Sequence, residues 1–92
     1  MSTVTERTVP IVNRLGLHAR AAAKLVTLAA KYHAEVQVSK DGKVVSGKSI
    51  MGVMMLAAAQ GSLITLRAEG DDAVEAVAAL ALLIANRFDE EA

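Results

Sequence analysis

The chain has 92 residues, is 53% hydrophobic, lacks cysteine, and balances 10 basic against 10 acidic side chains for a formal net charge of zero. That length suits one compact domain with a real core, and the missing thiols exclude disulfides, iron–sulfur ligation and Cys-type zinc centres. Neutral charge and only two aromatics, Tyr32 and Phe88, speak against nucleic acid as a partner, which calls for a basic face or stacking platforms.

The opening MSTVTERT is polar and lacks the apolar segment of a secretory signal. Over residues 6–12, Val9 and Ile11 alternate with Thr8, Pro10 and Val12, as in a strand. Pro10 has no N–H for a ladder, so this strand is expected at a sheet edge. Residues 13–16 read as a turn. From Ala19 to Tyr32 the period becomes helical, with Ala22, Leu25, Ala29 and Tyr32 on one stripe and Lys24, Thr27 and Lys31 facing away. Lys31 and His33 near its end suit the helix dipole.

Residues 35–39 alternate again, with Val36 and Val38 pointing inward. Asp41-Gly42 between two strand-like runs is a hairpin signal, because both residues tolerate positive φ. Residues 44–46 are the return strand. Ser49 caps a short helix from Ile50 to about Ala58, which Gln60-Gly61 ends. Residues 62–69 alternate once more, with Ile64, Leu66 and Ala68 on one face. Asp72 and Glu75 have capping-box spacing at the head of a last helix, Ala73 to Asn86, buried through Val77, Leu80 and Ile84. The longest apolar run, Ala76 to Ala85, is ten residues, against the roughly 20 that cross a bilayer. The expectation is therefore a cytoplasmic domain with no membrane insertion. The order β-α-β-β-α-β-α predicts a two-layer, open-faced α/β (α+β) sandwich, a four-stranded antiparallel sheet with three helices on one face.

Leu15-Gly-Leu-His-Ala-Arg-Ala-Ala-Ala-Lys24 carries the chemistry. His18 stands where the first helix opens, beside amides with no helical partner, a place that favours anions. The dipole there opposes a proton on the ring, and a neutral imidazole is a nucleophile. Arg20 adds permanent charge and planar donors suited to phosphate oxygens. Gly16 allows a tight turn. The plainer reading makes His18 a helix cap or surface residue; His33 reads as surface. No metal-ligand cluster, Ser-His-Asp set or carboxylate pair is apparent, and no metal or cofactor is expected.

Gly16-Leu-His-Ala-Arg20 resembles the active-site motif of the HPr family, the histidine phosphocarriers of the bacterial phosphotransferase system. Gly47-Lys-Ser-Ile-Met-Gly-Val-Met54 resembles that family's regulatory-serine segment. The resemblance runs from about Thr5 to Phe88. It implies one domain, 1–92 with an ordered core of about 5–88, and strand order 1-4-2-3, which agrees with the edge position read from Pro10. It implies a monomeric phosphocarrier and not an enzyme. His18 would accept a phosphoryl group on Nδ1 from phosphoenolpyruvate-dependent enzyme I and pass it to an EIIA-type domain. Arg20 would steady the group, and Ser49 would match the serine modified by HPr kinase/phosphorylase in some bacteria. Ala21 stands where many members have Pro, a residue that suits a first helical turn without being required there.

Residues 50–56 hold more apolar side chains than one short helix can bury on one side. Ile50, Val53 and Ala57 make a core stripe, and at least one of Met51, Met54 and Met55 is expected to fill a core gap. The family resemblance instead favours a docking patch of Leu17, Ile50, Met51 and Met54, with Lys24 and Lys48 as a basic rim. Ser49 is both a cap worth ~1 kcal/mol and a candidate phosphosite. Two branches stay open. The acidic Phe88-Asp-Glu-Glu-Ala92 resembles the nitrogen-related carriers, and the Ser49 segment resembles HPr under kinase control in sugar uptake. The rival from another class is a small regulatory or ligand-binding sandwich in which His18 is only a cap. An RNA-binding α/β module is opposed by the charge and the missing aromatics.

Overall fold

The computed structural model describes residues 3–92; the first two residues of the polar opening, and with them the start of the expected domain, lie outside it. The elements are β1 (Thr3–Pro10), α1 (Ala19–Ala29), β2 (Glu35–Lys40), β3 (Lys43–Ser46), α2 (Ile50–Met55), β4 (Leu63–Gly70) and α3 (Ala73–Ala85), followed by a single turn, Arg87–Asp89. The strands form one antiparallel sheet in the order β1-β4-β2-β3.

The expected order is the observed one, with Pro10 and the Asp41-Gly42 pair acting where the sequence put them. Pro10 ends edge strand β1 opposite Leu63, where its missing N–H costs no ladder bond. Asp41 and Gly42 turn the β2–β3 hairpin with φ of 52° and 82°, both left-handed. Val9, Val36, Val38, Ile64, Leu66 and Ala68 put one sheet face into the core, which Leu25 of α1, Val53 of α2 and Val77, Leu80 and Ile84 of α3 close. Each such aliphatic side chain contributes ~1.5–3 kcal/mol on burial. The other face is open and polar: Thr8 and Thr65 share a hydrogen bond of 2.9 Å, and Arg67 pairs with Glu6 at 3.9 Å and Glu69 at 3.7 Å.

Several local expectations need correction. β1 covers 3–10 and not 6–12, and α1 stops at Ala29, so Lys31, Tyr32 and His33 lie in a turn beyond it and feed no helix dipole. α2 stops at Met55, because Ala57 turns left-handed at φ 49°. Of the stripe Ile50, Val53 and Ala57, only Val53 is buried; Met51, Met54 and Met55 are all exposed, so none fills the core. The capping box at α3 does not form. Asp72 occupies the cap position, but its side chain makes no cap bond. Its carboxylate instead accepts the backbone N–H groups of His33 (2.8 Å) and Ala34 (2.7 Å), fastening the α1–β2 turn to α3. Two long-range amides aligned on one carboxylate outcompete a single local donor.

Candidate functional site

The loop before α1 is shaped by one close approach. Gly16 has φ 67°, and a Cβ there would stand 2.5 Å from the carbonyl oxygen of Ala58. Its absence lets the Leu17 N–H donate to that oxygen at 2.9 Å, which docks the loop on the segment after α2. Leu17 is drawn into the core by the same contact and is only 5% exposed, so it is not part of an exposed patch. The next residue, His18, is the N-cap of α1 by backbone. Its carbonyl accepts the Ala22 N–H at 2.9 Å, but its ring makes no cap hydrogen bond.

The ring goes elsewhere. Nε2 of His18 is paired with Oε2 of Glu90, beyond α3. Glu90 Oε1 accepts from Nδ2 of Asn13 at 3.0 Å, and the same amide nitrogen donates to the Gly16 carbonyl at 2.8 Å. Asn13 is completely buried. The Glu90 side chain is 15% exposed and the His18 side chain 28%. The hydrogen bond from His18 holds the Glu90 carboxyl below the usual glutamate range, with help from Asn13 and against the desolvation that raises it.

An open cavity of about 500 Å³ lies over this pair, lined among others by Arg14, Leu15, His18, Arg20 and Glu90. Arg20, exposed on the first turn of α1, thus shares a cavity with His18 as expected. Arg14 is a second guanidinium residue on it. A partly exposed imidazole at a helix start, in a cavity lined also by two arginines, can receive a dianionic group. Among the described residues no cluster of His, Cys, Asp or Glu could hold a metal ion.

The remaining site residues fall in two places. Ile50, Met51 and Met54 are exposed on α2 with Met55, and Met51 is 71% exposed. Ser49 caps this helix, its Oγ accepting the Gly52 N–H at 3.0 Å. Lys48 donates from Nζ to the Tyr32 carbonyl at 2.8 Å. Lys24 is half-buried and donates to the Phe88 carbonyl at 2.7 Å, so it secures the tail and forms no free rim beside α2. Sequence reasoning missed Glu90, Asn13 and Arg14. The available signal was Phe88, a lone aromatic just past a helix end, which anchors the tail.

The family model described as the PTS HPr component phosphorylation site matches residues 5–86. The phosphocarrier protein HPr of Cupriavidus necator is 55% identical over 85 residues, 92% of this chain and 96% of the relative. The phosphocarrier protein NPr of Shewanella violacea is 44% identical over 88 residues, 96% of this chain and 97% of the relative. The crystal structure of HPr-C-His from Thermoanaerobacter tengcongensis superposes with a TM-score of 0.92 at 49% identity, covering 96% of this chain and 99% of that one.

Proposed function

The chain belongs to the HPr family of phosphotransferase-system phosphocarriers, and on that premise we propose that His18 is the residue on which it carries the phosphoryl group. It is a carrier and not a catalytic enzyme. One observation carries the assignment: the ring of His18 stands at the open end of α1, in a cavity shared with Arg14 and Arg20, and does no capping. The rival in which His18 is only a cap does not account for a ring that makes no cap hydrogen bond and lines this cavity beside Glu90. Nδ1, the ring nitrogen that does not face Glu90, is the acceptor. Arg20 meets the phosphoryl oxygens, which adds charge stabilisation during transfer.

The donor is enzyme I, charged by phosphoenolpyruvate, and the acceptor is an EIIA-type domain. Both dock on the exposed face of α2 through Ile50, Met51 and Met54, joined by Met55; thioether side chains adapt to more than one partner surface. Leu17 is buried in the core and its N–H is bonded to Ala58 after α2, and Lys48 precedes α2 in the chain. The chain acts as a monomeric cytoplasmic carrier, as its membership of the HPr family supports. Among the described residues no helix is long and apolar enough to cross a membrane.

Ser49 is a regulatory site for an HPr kinase/phosphorylase. A phosphoryl group there adds nearly two negative charges at the head of α2, beside Ile50 and Met51, where a partner would have to bury them. Higher identity to the HPr relative than to the NPr relative supports the HPr branch over the nitrogen-related one. Incubation with phosphoenolpyruvate and enzyme I, followed by intact-mass measurement and site mapping, tests the assignment. One acid-labile phosphoryl group on His18 is expected; labelling on another residue overturns it.

A further inference from the structure

After α3 the chain takes a costly path. Arg87, Phe88 and Asp89 have φ of 59°, 53° and 62°, three consecutive non-glycine residues in the left-handed region. Side chains with a Cβ are crowded in that region, so each of the three is unfavourable by itself. The turn persists because its surroundings hold it. The Phe88 side chain is fully buried, its carbonyl takes the Lys24 ammonium at 2.7 Å, and the Asp89 and Glu90 N–H groups close on Asn86 at 3.0 Å and Arg87 at 2.9 Å. Beyond it Glu90 is extended, and the tail returns to the loop before α1, where the Arg14 N–H donates to the Ala92 oxygen at 3.1 Å. The strained turn brings one side chain to His18, that of Glu90.

Both Glu90 oxygens are engaged on arrival. Asn13 donates to Oε1, and the same Asn13 nitrogen is pinned by Gly16. The amide therefore cannot rotate to offer its oxygen without leaving two acceptors unpaired in a buried place. Oε2 faces Nε2 of His18. A carboxylate only accepts hydrogen bonds, so the proton on that line belongs to the ring.

We propose that Glu90 is a positioning residue for phosphoryl transfer: it holds the Nε2–H of His18 and so fixes the neutral ring in the tautomer whose lone pair is on Nδ1. The proposal rests on the reading of His18 as acceptor. In the transfer, the Nδ1 lone pair forms the N–P bond while the bond from phosphorus to the donor atom breaks, leaving its electron pair on the donor. Nε2 keeps its proton throughout, so the phosphorylated ring is an imidazolium. Its positive charge lies against the Glu90 carboxylate. In onward transfer the N–P bond breaks and the pair returns to Nδ1. Glu90 thus selects the nucleophilic nitrogen in the free state and offsets ring charge in the loaded state, the role a buried carboxylate plays behind a catalytic histidine.

The test uses the full chain with Glu90→Ala and Glu90→Gln. Ring ¹⁵N spectra of the unphosphorylated proteins, recorded at a pH where His18 is neutral, report the tautomer without any transfer. The wild type is expected as the Nε2–H form. Glu90→Ala should move toward a mixture of both forms, and Glu90→Gln, which keeps one acceptor oxygen, should stay closer to wild type. With enzyme I, Glu90→Ala is expected to lower kcat about tenfold with little change in KM, and Glu90→Gln should fall between. An Nδ1–H wild-type ring, or a Glu90→Ala variant with wild-type ring shifts and kcat, overturns the proposal. Failure of the acceptor reading shows separately, as phosphorylation that survives in His18→Ala.

Discussion

Asp72 and Glu90 stand at opposite ends of α3 and fasten the chain on either side of α1, at the α1–β2 turn and at His18. Each is a carboxylate whose two oxygens are both taken by donors from another element, and hydrogen bonding holds each below its usual range, through the His33 N–H first for Asp72 and through His18 first for Glu90. The donors differ. Asp72 binds two backbone amides, which have one protonation state and no lone pair to offer. Glu90 binds an imidazole, whose second nitrogen is thereby left free. The same electrostatic clamp is a fastening at one end of the helix and a part of the chemistry at the other. What separates them is the donor and not the acid.

Substitutions separate the two roles. The largest effect belongs to His18→Ala, which should abolish phosphoryl uptake from phosphoenolpyruvate and enzyme I while the chain stays folded, because the ring is partly exposed; mass spectrometry and circular dichroism read both. Arg20→Ala should leave thermal stability unchanged, because the residue is exposed, and slow transfer by about one to two orders of magnitude through loss of the charge stabilisation proposed for it. A fall in Tm with unchanged rates would show that Arg20 is structural. Met51→Asp should weaken enzyme I binding by about tenfold, a loss of ~1.4 kcal/mol measurable by calorimetry, because a charge would be buried at the docking face.

Asp72→Asn tests the fastening end. Transfer rates should not change, but Tm at neutral pH should fall, because an amide offers one acceptor oxygen where the carboxylate offers two. The pH dependence follows from the sign of the shift. The folded-state pKa of Asp72 lies below its ordinary value of 3.8. Its contribution to stability is therefore complete above that value and disappears as pH falls through the lower folded value. Thermal melts from pH 7 downward should show the wild-type advantage shrinking in acid. The smallest effect is expected from Ser49→Ala, a neutral cap, at ~1 kcal/mol of stability with transfer near normal. Ser49→Asp should leave stability intact and slow phosphorylation of His18.

The fold was legible because its signals are local. Period-two alternation around Val36, Val38, Ile64 and Leu66, the Asp41-Gly42 pair and the position of Pro10 each constrain the backbone within a few residues. His18 and Arg20 were singled out by the Gly16-Leu-His-Ala-Arg20 motif, which is also local, and both line one cavity. Glu90 was not. Its arrival depends on a left-handed turn at residues 87–89 that no local propensity favours and that only the buried Phe88 and the Lys24 hydrogen bond sustain. Asp72 misled in the opposite direction, with a local capping pattern that loses to two amides nearly forty residues away in sequence. Leu17 was expected in the exposed patch and is buried, because periodicity gives the stripe of a helix but not where a preceding loop is pulled in, and Gly16 decides that.

The claim at the centre is that the phosphoryl group is held on one nitrogen of His18 while Glu90 holds the other. A heteronuclear ¹⁵N–³¹P spectrum of the chain charged by phosphoenolpyruvate and enzyme I reads this directly. The expected result is phosphorus coupled to Nδ1 of His18, with Nε2 still carrying its proton. Phosphorus on Nε2, or on any residue other than His18, would contradict the account.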